Sequence, residues 1–172
     1  MNSPTTIALF RLVHIVAGVF WVGGVLFLAG FLLPTLRAVG PPGGAVVAQL
    51  SQVRRMPLYL MGATILTILS GIGLYWRDSG GGAWTRSGPG FVFGLGGVLG
   101  ILGAGIGMAV NSPAGKRLGA LGAAAQARGG PPSPDELAEI QRLQARLAGS
   151  SRWVAVLLLL ATAAMAVARY VP

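Results

Sequence analysis

The 172-residue chain has no cysteine, one histidine and four acidic residues, and only 10% of its residues are charged. Without cysteine there is no disulfide, iron–sulfur cluster or thiolate metal site. The acids all lie outside the long apolar runs, so a carboxylate proton relay within a membrane would have no members. The methionines are scattered and there is one imidazole, so no cluster of soft ligands for copper exists. None of the glycine runs is followed by the GKS or GKT of a phosphate loop. Soluble domains carry about 25% charged residues. Too little polar surface is available here to cover a globule in water.

What the chain has is apolar length. Hydrophobic residues make up 53% of it, and uncharged runs cover residues 12–34, 56–76, 87–115 and 153–168. A helix needs roughly 20 apolar residues to cross the hydrocarbon core. A lone lipid-exposed strand would leave its backbone groups unsatisfied, so each run must be helical. The fourth run is short, but it follows a polar helical stretch from which the helix enters the membrane at about residue 152. The first run exceeds the 7–15 residues of a signal-peptide core and no small-x-small cleavage site follows it, so a retained helix is expected. The expectation is a single all-α domain over 1–172, a four-transmembrane-helix bundle running up-down-up-down. Its helices are expected at about 7–34, 56–76, 90–111 and 135–169.

The formal net charge is +9. In such a chain basic loops facing anionic lipid account for it, and nucleic acid is not implied. Nine of the 13 basic residues fall in two loops: Arg37, Arg54, Arg55, Lys116, Arg117, Arg128, Arg142, Arg146 and Arg152. The other four are Arg11, Arg77, Arg86 and Arg169. The bias places both termini outside the cytoplasm and the two long loops inside, as for a multi-pass protein of a plasma or inner membrane. Pro41-Pro42-Gly43-Gly44 breaks the first of these loops. The run 78–82, Asp-Ser-Gly-Gly-Gly, opens the outer one, flanked by Trp76 and Trp84 as interface anchors. Residues 111–134, rich in Gly, Ala and Pro, read as a partly mobile cytoplasmic loop. Ser133-Pro134-Asp135-Glu136 then reads as a helix start. Leu137, Ile140, Leu143 and Leu147 share a face, giving an amphipathic cytoplasmic extension before the fourth span. In the third span, Gly96-x-x-x-Gly100 and Gly103-x-x-x-Gly107 each set two small residues on one face. Contact within the bundle is the first reading, and a homo-oligomer or another membrane protein the second.

His14 is the one ionisable group in the runs with chemical interest. On a 3.6-residue helix it shares a face with Arg11, Gly18 and Trp21. Gly18 leaves a hollow beside the imidazole and Trp21 a flat wall, so the face either holds a planar ligand or packs on other helices. Haem is the sharpest candidate ligand, because histidine is its usual axial ligand. By depth, Met165 is the internal methionine that shares the outer half with His14, and Arg11 and Arg169 near the same boundary would neutralise propionates. The His14 imidazole is otherwise expected to contribute little to packing.

Leu12-Val13-His14 followed by Val19-Phe20-Trp21-Val22-Gly23-Gly24 resembles the first-helix pattern of the CopD-like membrane proteins, shared with the HemJ-type protoporphyrinogen oxidases. Arg54-Arg55-Met56 through Thr67-Ile68-Leu69-Ser70-Gly71 resembles the second helix of the same superfamily. The resemblance covers about 60 residues. It implies a four-helix bundle with both termini on one side and, in the HemJ-like branch, haem b on the first-helix histidine, which His14 matches. That branch also implies an essential lysine near the end of the fourth helix. Here Ala168-Arg169-Tyr170 puts arginine there, which keeps the charge but does not readily give up a proton. The departure argues against the same oxidase activity, and the ligand-poor helices do not support the copper that the CopD-like name suggests. Two functions remain foremost: a non-catalytic membrane subunit or scaffold, and a haem b-binding redox protein using His14. A protoporphyrinogen oxidase-like enzyme and metal transport rank below them. For the topology, cysteines introduced as Ser3→Cys and Ala124→Cys are expected to label from opposite faces of sealed vesicles. Labelling from one face would refute the four-span arrangement.

Overall fold

The computed structural model describes residues 3–40, 43–80 and 82–172. Pro41, Pro42 and Gly81, part of the two breaks noted above, lie outside the described residues. The described residues are helical throughout most of their length and include no strand. Four helices are long and apolar enough to cross a membrane: α1 (Pro4–Val39), α2 (Met56–Ser79), α3 (Gly88–Arg128) and α4 (Pro134–Tyr170). One-turn π segments interrupt α1 at Leu28–Leu32 and α3 at Gly107–Asn111. A short helix, Gly43–Ala48, and a further π turn, Gln49–Val53, lead from α1 to α2.

The helix ends follow local chemistry. Proline stands in the first turn of all four long helices, where its missing N–H removes no helical bond. The Ser87 hydroxyl accepts from the Gly90 amide at the start of α3. Ser133 and Glu136 form the reciprocal capping box at the start of α4, where the sequence signals a helix start. Gly80 and Gly129 stop α2 and α3 in the left-handed region, at φ +42° and +67°.

Packing is broadest between α1 and α2 and between α3 and α4; narrower α2–α3 and α1–α4 contacts close the bundle. Gly18 lies by Thr67 and Gly24 by Leu60, so positions later in α1 meet positions earlier in α2. Likewise Gly96 meets Ala161 and Met165, and Gly103 meets Leu158 and Val154. The size distribution is reversed from that of a water-soluble globule. The interior is built from Ala17, Ala63, Ala104, Ala155 and Ala161, with Trp21, Val154 and Leu158 as its larger members. Large apolar side chains point outward instead: Val19, Phe31, Leu69 and Phe91 are each more than 60% exposed. Small residues let backbones approach, and attraction then comes from many close contacts of about 0.1–0.2 kcal/mol each. Hydroxyls within the spans bond their own helix: Thr64 to the Leu60 carbonyl, Thr67 to Ala63, Ser70 to Leu66 and Thr162 to Leu158. Among the described residues no buried side-chain polar atom lacks a partner.

At the α2–α3 connection, Trp84 packs edge-on to Tyr75, centroids 5.4 Å apart, and stacks on Phe93 at 6.1 Å. The Tyr75 hydroxyl donates to the Gly90 carbonyl. Trp76 projects outward, 80% exposed.

The structure corrects the expected loop at 111–134. Helix α3 continues through it to Arg128, leaving only 129–133 as a connection. Its 41 residues span about 60 Å, twice the roughly 30 Å hydrocarbon core. The extension is held by α4: Ala114, Leu118 and Leu121 pack against Ile140, Leu143 and Leu147. Leu137, expected on the same face, is about half exposed. Arg117 donates two hydrogen bonds to Glu139, at 2.8 and 3.0 Å, and Arg128 two to Glu136, at 2.8 and 2.6 Å. The Arg128 guanidinium and the Ser133 amide hold the Glu136 carboxyl down at about 2. A lowered acid pKa means the pairing contributes fully above the ordinary value of 4.5, and the contribution fades as pH falls towards 2. The hairpin tip therefore stays clamped at neutral pH.

The glycine face of α3 also differs from expectation. Gly96 and Gly103 carry the contact with α4, whereas a Cβ placed on Gly100 or Gly107 meets nothing within 4 Å. The α4 ridge meets α3 every seven residues, and the GxxxG spacing of four does not follow it. A Cβ at Gly96 would stand 2.9 Å from the Met165 Cγ and 3.1 Å from the Ala161 carbonyl oxygen. Gly96→Leu is therefore expected to cost about 1–3 kcal/mol through overpacking, whereas Gly100→Ala should leave the melting temperature in detergent unchanged. Equal losses in the two variants would overturn this assignment of the seam.

Candidate functional site

The only imidazole of the chain sits in the α1–α2 seam. Helix α1 brings His14 opposite 67–71 of α2, and the His14 Nδ1 lies 2.8 Å from the Thr67 carbonyl oxygen. A carbonyl can only accept, so Nδ1 carries the proton and donates. The Ser70 oxygen, 3.4 Å from Nδ1, is a weaker second acceptor, because its own hydroxyl proton is directed to Leu66. The tautomer is thereby set, and Nε2 keeps its lone pair. Nε2 has no hydrogen-bond partner among the described residues, and none of their buried side-chain polar atoms is unpaired. The atom is therefore not fully buried.

Gly71 makes room for the ring. A Cβ there would stand 2.8 Å from the His14 Cε1 and 3.0 Å from Nδ1. Any side chain at 71 would push the imidazole off Thr67. The Thr67 and Gly71 of the second-helix motif and the His14 of the first are thus one contact. Sequence reading singled out both motifs without joining them, because the acceptor is a backbone carbonyl that no residue type announces. His14 is also more than a loose end. It is half-buried and ties two helices together, so the expectation that it contributes little to packing is corrected.

The other residues of the expected face separate. Gly18 offers no hollow: a Cβ there would be in ordinary contact, 3.6 Å from the Thr67 methyl. Trp21 is 6% exposed and fills the bundle centre with Ala17, Ala63, Ala104, Val154 and Leu158. Arg11 is exposed, one turn from His14 towards the N-terminus. Arg169 is exposed in the terminal 3₁₀ turn Ala168–Tyr170. Met165 packs over Gly96 in the α3–α4 seam, whereas His14 occupies the α1–α2 seam. One polar cluster escaped the sequence reading. Asn111, ending the π turn of α3, accepts from Ser150 and donates to Ser151 of α4. Its only signal was the serine doublet at the level where the third apolar run ends.

Among the described residues, no three His, Asp or Glu side chains gather in a metal-ligand cluster. For haem, the test is the donor atom. A histidine anchored through Nδ1–H to a carbonyl, with Nε2 free, is the arrangement a metal-binding imidazole adopts. His14 fits it, and Arg11 and Arg169, without an ion pair among the described residues, are cations suited to carboxylates. Comparison with family models, curated proteins and solved structures finds no match for this chain. The likeness to CopD-like and HemJ-like proteins thus stands on its motifs alone.

Because His14 is the sole histidine, its imidazole gives one set of side-chain ¹⁵N signals. In micelles the neutral ring is expected to show protonated Nδ1 and unprotonated Nε2. Gly71→Ala should abolish that preference. The opposite tautomer in the wild type would refute the His14–Thr67 bond.

Proposed function

We propose that this chain is a non-catalytic membrane subunit or scaffold. It crosses the membrane up-down-up-down, with both termini outside the cytoplasm and the α3–α4 hairpin projecting inside. The observation that carries the reading is the reversed size distribution, with alanine and glycine in the seams and large apolar side chains outside. The nine-to-four split of basic residues supports the orientation. Gly100 and Gly107, which share one face of α3, meet nothing within 4 Å, which leaves room there for another membrane helix. A membrane protein partner or a second copy would seat there.

The free Nε2 of His14 favours a second reading, a haem b-binding protein of CopD/HemJ-like type. His14 would hold the iron, and Arg11 and Arg169 would face the propionates. The haem would supply one-electron transfer; the chain would fix the imidazole and exclude water. One measurement separates the readings. Protein expressed with ample haem and purified in detergent is expected to be colourless. A Soret band lost in His14→Ala, with α-helical content unchanged, would replace the scaffold by the haem protein. A band retained in His14→Ala would exclude His14 as the ligand.

A further inference from the structure

A recess of about 260 Å³ opens between α1 and α4, lined by Ala29, Leu33, Pro34, Arg37, Ala148 and Arg152. Two arginines and four apolar residues share its lining. The π turn Leu28–Leu32 runs directly into Pro34, and this irregular stretch of α1 forms one wall. Arg37 reaches across to donate to the Gln144 carbonyl of α4. Arg152 lines the same recess from α4. Arg152 directly precedes Trp153, which is 67% exposed and suited to the membrane interface.

Two exposed cations line one recess, and like charges side by side repel. The chain has no anion to place between them. It holds four acids: Asp78 pairs with Arg77, Glu136 with Arg128 and Glu139 with Arg117. The fourth, Asp135, sits in the first turn of α4, more than four turns from Arg152. Among the described residues Arg152 has neither a hydrogen bond nor an ion pair. An anion between them would come from outside the chain, with Ala29, Leu33, Pro34 and Ala148 of the recess beside it. Guanidinium forks match phosphate oxygens.

We infer that the α1–α4 recess binds the phosphate of an anionic phospholipid between Arg37 and Arg152, with its acyl chain along Ala29 and Leu33. The inference rests on the membrane reading above. It differs from a general attraction of basic loops to lipid in naming one stoichiometric site.

The test uses full-length protein in nanodiscs of phosphatidylcholine with a minor share of phosphatidylglycerol, followed by native mass spectrometry after release. Wild type is expected to retain one phosphatidylglycerol. Arg37→Gln/Arg152→Gln should retain about tenfold less or lower, as loss of charge-assisted bonds to the anion predicts. Arg142→Gln/Arg146→Gln removes the same charge from the same side outside the recess and should retain the lipid as wild type does. Equal retention by both double variants would overturn the site. So would thermal stabilisation by inorganic phosphate alone that matches phosphatidylglycerol, since a free anion would then be the ligand. Should the double variant fail to fold, single Arg152→Lys keeps the charge but loses the fork, and unchanged retention there would equally count against the site. Failure of the wild type to float with liposomes would sink the membrane reading itself, a result distinct from all of these.

Discussion

Lipid offers a helix neither a hydrogen bond nor a hydrophobic reason to leave it for another helix. What remains is contact at short range, and contact requires that the facing side chains be small. The seams of this bundle follow from that constraint. Gly24 and Gly71 admit α1 to α2, and Gly96 and Gly103 admit α3 to α4. Larger side chains are displaced outward, where lipid solvates them as well as any core would. Hydroxyls face the same shortage of partners, and Thr64, Thr67 and Ser70 meet it by bonding carbonyls one turn back. His14 is the exception that bonds across a seam. Of its two ring nitrogens Nδ1 is anchored, and among the described residues Nε2 is left available.

Charge is distributed by the same logic. The acids have no place in the apolar runs, and two of the four are spent on clamping: Glu136 and Glu139 fasten the tip of the hairpin to Arg128 and Arg117. The cations greatly outnumber them, so most arginines have no counter-charge within the chain. Uncompensated guanidinium groups at the membrane surface make the protein dependent on its surroundings for neutrality.

The four long helices were legible because a long run without charge has one solution in lipid. The extent of α3 was not. Residues 112–128 contain Gly115, Gly119 and Gly122, which argue for a loop when the segment is considered alone. Helix is maintained there by Ile140, Leu143 and Leu147 of α4, a tertiary effect with no local signature. In the site, His14 was legible as the lone imidazole of the apolar runs. Its partner was not, since Thr67 contributes a main-chain oxygen. Trp21 packs against α2 and α4, the second of the two readings of its face, and His14, seven positions earlier, bonds α2. The glycine spacing was misjudged because GxxxG describes one crossing geometry and the α3–α4 seam repeats with another.

That repeat has a consequence at the π turn of α3. Positions facing α4 recur every seven residues in the bundle, as Gly96 and Gly103 do, and again in the hairpin, as Ala114 and Leu121 do. Between the two series, Gly103 to Asn111 is eight. The π turn at Gly107–Asn111 absorbs the odd residue, as an insertion held within a continuous helix. Helix α3 thus carries one residue that its own periodicity does not require. Shortening the turn by that residue restores an unbroken seven-residue repeat and keeps both faces on α4. Lengthening it by one would swing the hairpin through about 100° and part Arg117 from Glu139. At this joint the chain is open to deletion and closed to insertion.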